Sequence, residues 1–108
     1  MLEKVEKDTP KYKLNRVVEL IQNNNFRITQ YASDTAIYNF NLEKEDIVKE
    51  IIALKGEHFL KSTKDINRPG WQDAYAKKIK GVEAYIKITI QNGELLVIIS
   101  FKKKKENG

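Results

Sequence analysis

The chain contains no cysteine and a single histidine, His58, in 108 residues. The first absence excludes disulfides, zinc-thiolate sites and thiol nucleophiles, and the second leaves almost no scope for a histidine metal site or a Ser-His-Asp triad. Chemistry, if present, must rest on Lys, Tyr, Gln, Asp or Glu, and no cofactor is expected. No apolar run approaches about 18 residues, and the start, MLEKVEKD, is charged and lacks an apolar signal core. Membrane insertion and export are therefore disfavoured, and a cytoplasmic location is expected. At this length the chain reads as one domain over residues 1–108, without a long linker and with 1–7 and 103–108 as loose ends.

What is abundant is lysine, unevenly placed. Residues 1–57 carry nine Lys/Arg against ten Asp/Glu, whereas residues 58–108 carry eleven against five. Such asymmetry favours a polyanionic partner met by the second half, although a basic surface equally serves solubility or an acidic protein partner.

That second half is organised around 82–102, VEAYIKITIQNGELLVIISFK. Asn92-Gly93 is the favoured pair for a two-residue type I′ hairpin turn, because both positions need positive φ. The turn would set Gln91 opposite Glu94, Lys87 opposite Ile98 and Tyr85 opposite Ser100. One face then carries Ala84, Ile86, Ile88 and Ile90 with Leu95, Val97, Ile99 and Phe101. The other mixes Tyr85, Lys87, Thr89 and Gln91 with Leu96, Ile98, Ser100 and Lys102. The first face must be covered by other elements; the second is basic and holds a tyrosine.

Earlier segments supply the cover. Asp8 or Thr9 before Pro10 is a good helix start, and Leu14, Val17, Val18 and Ile21 recur on one helical face, with Asn23 to Asn25 as a stop. Phe26 to Thr29 reads as a short strand and Tyr31 to Tyr38 as a short helix. Asn41 as cap, acidic first turns and an apolar face of Ile47, Val48, Ile51, Ile52 and Leu54 predict another helix, ended by Gly56. From His58 the period shifts towards two: His58 to Thr63 is a strand with Phe59, Lys61 and Thr63 on one face, Asn67 to Gly70 a turn, and Trp71 to Tyr75 a further strand. The fold class is α+β, an antiparallel sheet of about four to six strands with amphipathic helices packed on one face.

On the mixed hairpin face Tyr85, Lys87 and Lys102 are neighbours, and Lys61 and Gln72 join them if the two earlier strands lie alongside. A Lys/Tyr/Gln cluster suits phosphodiester work: ammonium groups neutralise a phosphate, a tyrosine stacks on a base or passes a proton, and an amide orients an oxygen. Lys77 and Lys103 are further candidates for holding a phosphate backbone beside Lys87. On spacing alone the plainer alternative, lysines on a solvated sheet face, stays open. His58, at a helix-to-strand junction, reads as structural or exposed, and Trp71 as core.

The strings His58-Phe59-Leu60-Lys61-Ser62, Trp71-Gln72-Asp73-Ala74-Tyr75, Ala84-Tyr85-Ile86-Lys87-Ile88-Thr89-Ile90 and Ile99-Ser100-Phe101-Lys102 together resemble the MqsR toxins of bacterial toxin-antitoxin systems, which are RelE-like mRNA endonucleases. Thr9-Pro10, Arg27-x-Thr29 and Ile51-Ile52-x-Leu54 extend the likeness over nearly the whole chain, although Leu60 stands where the family often has tyrosine. The resemblance implies a RelE-like fold and a catalytic set at Lys61, Gln72, Tyr85 and Lys102. It implies cleavage of single-stranded mRNA without metal, through attack of a ribose 2′-OH. The partner it implies is an MqsA-like antitoxin, whose zinc belongs to the antitoxin. The competing expectation is a non-catalytic module of the same fold that binds RNA or protein through its basic face.

Overall fold

Alternating apolar residues in the second half of the chain assemble a sheet, and the amphipathic segments of the first half cover one side of it. The computed structural model describes residues 4–65, 67 and 69–105. Chain order is β1 (Lys4–Lys7), α1 (Leu14–Gln22), β2 (Phe26–Ile28), α2 (Gln30–Phe40), α3 (Lys44–Ile52), a 3₁₀ turn (Gly56–His58), β3 (Phe59–Asp65), β4 (Trp71–Ile79), β5 (Val82–Gln91) and β6 (Leu95–Lys103). Among the described residues the six strands form one sheet in the order β1-β3-β4-β5-β6-β2. Pairings are antiparallel except β2 with β6, which is parallel. The fold is therefore α+β, as the sequence predicts. No helix among the described residues is long and apolar enough to cross a membrane.

A single core joins Val17 and Leu20 of α1, Ala36 and Phe40 of α2, and Ile47 and Ile51 of α3 to the strand residues Tyr75, Ile86, Ile88 and Phe101. The opposite face of the sheet has no helix in this core. Tyr75 is fully buried against Phe59, with ring centroids 5.6 Å apart. Its burial, reinforced by the Asp73 carboxylate, pushes its phenol up to about 12, so it stays neutral at physiological pH.

Several sequence expectations need correction. Residues 4–7, read as part of a loose end, pair with β3 as β1; residues 1–3 and 106–108 lie outside the described residues, as does Arg68 of the β3–β4 turn. Lys103, read as the start of the other loose end, is the last residue of β6. The first helix starts at Leu14 rather than at Pro10. The reason is tertiary: fully buried Asp73 accepts hydrogen bonds from the backbone N–H groups of Lys11 (3.0 Å) and Tyr12 (2.9 Å), which holds this segment out of a helix as a bent strap against β4. Tyr12 then donates from its hydroxyl to the Trp71 carbonyl at 3.0 Å. Asn41 caps no helix start but ends α2 with a left-handed φ of 56°, and Glu43 with Asp46 forms the capping box of α3. Ile52 is exposed rather than part of the α3 apolar face.

The hairpin register also differs. Gln91 pairs with Leu95, so the turn has three residues, with Asn92 and Gly93 at the positive φ values expected of them. Gly93 is held from the side by the Arg16 guanidinium, which donates to its carbonyl at 2.6 Å. This one-residue offset turns Leu96 and Ile98 inward in place of Leu95, Val97 and Ile99. A bulge at Ile99 then adds a second offset, and parity returns: Ile86 pairs with Phe101 in the core, and Tyr85 pairs directly with Lys102.

Candidate active site

Strand register brings most of the sequence-predicted residues onto the face of the sheet opposite the core. Along one row, Lys61 of β3 pairs with Ala74 of β4, Ala74 with Lys87 of β5, and Lys87 with Ser100 of β6. In the adjacent row Ala76 pairs with Tyr85 and Tyr85 with Lys102. Two alanines on β4 thus make low ground between the flanking lysines and the tyrosine. Gln72, paired with Thr63 and only 7% exposed, belongs to the floor one step along. Lys61, Gln72, Tyr85, Lys87 and Lys102 therefore share one surface.

A second bulge makes this possible. Phe59 pairs with Tyr75 on the core side, yet Lys61 pairs with Ala74 on the open side, because the ladder shifts at Leu60. Phe59 thus does not share a face with Lys61, contrary to strict alternation. The motif Trp71-Gln72-Asp73 divides in the same way: Gln72 faces the open side, and Asp73 turns inward to hold the strap.

The contacts of Lys61 and Lys102 on the open face are weak ones that a phosphate can replace. Lys61 Nζ lies 3.2 Å from Glu6 Oε2 of β1, and both side chains are about half exposed. A pair in that setting contributes about 0–1 kcal/mol. The Lys102 ammonium lies 5.9 Å from the Tyr85 ring, and the Lys87 ammonium 5.8 Å from the same ring. Lys102 also lies 5.8 Å from the ring of Tyr31 on α2. The arrangement offers cations, a phenol and an amide on a rigid sheet, with small residues between them. Among the described residues no three His, Cys, Asp or Glu side chains gather into a cation site.

Two expected RNA-binding lysines stand elsewhere. Lys77 pairs with Ala84 on the core side and reaches the Glu50 carboxylate of α3. Lys103, also opposite Ala84, lies off the row of Tyr85 and Lys102, and lines a groove beside α2. His58 is structural, its Nδ1 accepting the Lys55 N–H at 2.9 Å. Trp71 is half-buried, under the Lys7 ammonium at 4.6 Å.

Three residues of this surface are missing from the sequence reading: Glu6, Arg27 and Tyr31. Arg27 is exposed and reaches the open face because β2 pairs Arg27 with Val97, between the inward Leu96 and Ile98. A three-residue strand in parallel pairing has no turn signature to reveal it. Tyr31 is about half exposed; its only sequence signal is the spacing of Tyr31 and Tyr38 at two helical turns.

Residues 9–103 match the family described as "Motility quorum-sensing regulator, toxin of MqsA". The chain is also similar to the mRNA interferase toxin MqsR of Escherichia coli (strain K12), 33% identical over 101 residues that cover 93% of this chain and 100% of that protein. On that extent of likeness, the chain belongs to the MqsR toxin family.

Proposed function

We propose that this chain is a sequence-selective endoribonuclease toxin that cuts single-stranded mRNA in the cytoplasm and is neutralised by an MqsA-like antitoxin. The observation that carries the reading is that Lys61, Gln72, Tyr85 and Lys102, from four different strands, meet on one face of the sheet, opposite the core. In the proposed reaction the ribose 2′-oxygen attacks the adjacent phosphorus. A new P–O2′ bond forms, the P–O5′ bond breaks, the 2′-hydroxyl proton is taken up and a proton is delivered to the departing 5′-oxygen. The products are a 2′,3′-cyclic phosphate and a 5′-hydroxyl. Lys61 and Lys102 stabilise the phosphorane charge, Tyr85 moves or orients a proton, and Gln72 positions the scissile phosphate. Neither a metal nor a cofactor is required.

The test uses purified protein in EDTA with two oligonucleotides, one all-ribose and one 2′-deoxy at the cut. Cleavage of the first alone is expected, since DNA lacks the attacking hydroxyl. Cutting of both, or a requirement for added metal, overturns the mechanism. Binding of RNA without cleavage, with growth unaffected on expression, would instead favour a non-catalytic module.

For neutralisation, the outer edge of β1 provides a strand template, because among the described residues β1 is terminal in the sheet and pairs with β3 alone. Antitoxin docking there leaves the lysine cluster outside the interface. A Lys61→Ala/Lys102→Ala double variant should then keep its antitoxin affinity; a loss above about 2 kcal/mol, the scale of an interface hot spot, would make the cluster the docking surface.

A further inference from the structure

β2 pairs with β6 only over Leu96 to Ile98, so among the described residues the outer edge of β6 has no strand beside it beyond that point. Helix α2 runs there instead, fastened by hydroxyls: Thr29 Oγ1 donates to the Ile99 carbonyl at 2.9 Å, and Thr35 Oγ1 to the Phe101 carbonyl at 2.7 Å. Between helix and strand lies an open groove of about 570 Å³, lined by Tyr31, Thr35, Asn39 and the run Lys102 to Lys105. Its composition is that of a single-strand nucleic-acid track: an exposed aromatic ring, a side-chain amide and successive lysines. It is continuous with the proposed active face, because the Lys102 ammonium lies 5.8 Å from Tyr31 on one side and 5.9 Å from Tyr85 on the other.

We propose that this groove is a nucleotide subsite, in which the base of a nucleotide flanking the cut stacks on Tyr31 while Lys103 and Lys105 hold its phosphates. The proposal rests on the RNA-cleaving reading and adds the place where the strand continues beyond the scissile phosphate. Tyr31 acts by positioning. Lys102 is then shared, meeting the scissile phosphate and closing the groove at its inner end. Lys103 and Lys105 are exposed and available for phosphate, whereas Lys104 is paired with Glu83 at 3.4 Å. Asn39 is placed to meet a base edge, which would make the groove a source of sequence preference as well as of affinity.

The experiment takes the shortest RNA that the wild-type protein cuts once, made 2′-deoxy at the cut so that binding is read without cleavage. Each flanking nucleotide in turn is made abasic, and dissociation constants are measured for wild type, Tyr31→Ala and Tyr31→Phe. Tyr31→Ala should weaken binding about tenfold, within the range of base-aromatic stacking, and Tyr31→Phe should bind nearly as wild type. One abasic position should weaken the wild-type complex by a similar factor and have no further effect on Tyr31→Ala. A purely structural tyrosine would leave the abasic penalty intact in every variant, and that outcome overturns the subsite. So does a Tyr31→Ala protein that binds as wild type. If wild-type protein neither binds nor cuts RNA, the RNA-cleaving reading itself falls and the subsite falls with it.

Discussion

Lys102→Ala should slow single-turnover cleavage of an all-ribose substrate by about 100- to 1,000-fold, the usual cost of removing one preorganised group that stabilises transition-state charge. Growth arrest on expression should weaken in parallel. The argument is positional. Pairing with Tyr85 fixes the Lys102 backbone, and Tyr85 and Tyr31 confine its ammonium from two sides. A cation so placed needs little reorganisation when the phosphorane forms, whereas a lysine on a mobile tail would act chiefly on affinity. Lys77→Ala is the informative contrast. Lys77 lies on β4, the strand that carries Gln72, but is turned to Glu50, so its loss should leave the rate unchanged and touch only stability. A folded Lys102→Ala protein that cleaves within about tenfold of wild type would remove Lys102 from the chemistry.

Asp73→Ala should cost about 3 kcal/mol of folding stability, which is a large share of the roughly 5–15 kcal/mol available to a domain. Asp73 is fully buried, and its two oxygens each accept one backbone N–H from the strap. Truncation leaves both amides without their acceptor and a gap behind them. Asn should cost less than Ala, since its carbonyl keeps one of the two bonds while its NH₂ opposes the other donor. Urea denaturation followed by circular dichroism reads the effect; a midpoint equal to that of wild type for Asp73→Ala would show that packing, not the carboxylate, fixes the strap. Because the strap links β1 to α1, its loss should also loosen β1 and with it the Glu6 contact to Lys61.

The existence of the hairpin, the β5 half of its apolar face and the placing of Tyr85 and Lys102 on one face were legible because alternation and the Asn-Gly turn are local signals, whereas the register itself, with Tyr85 opposite Lys102 rather than Ser100, was not. What escaped the sequence depends on distant partners. Pro10 resembles a helix start until Asp73, sixty-odd positions away, captures the amides that follow it. β1 has no alternation of its own and exists because β3 offers an edge. The bulge at Leu60 is invisible to a period-two reading, yet it lets Phe59 enter the core without dragging Lys61 after it. Lys77 looked like a candidate for holding a phosphate backbone, and only the position of α3 shows that it is paired with Glu50.

The bulge at Ile99 also separates the hairpin tip from the chemistry. Residues 95 to 99 read Leu-Leu-Val-Ile-Ile, so whichever parity the tip adopts, an apolar side chain points inward. Downstream the sequence becomes particular: Ser100, Phe101 and Lys102 tolerate no exchange of faces, and the extra residue at the bulge sets them correctly. The strand thus has a permissive segment and an exacting one, with a slack residue between them. A one-residue insertion at the tip is therefore expected to change the parity of the apolar segment alone and to leave Tyr85 opposite Lys102.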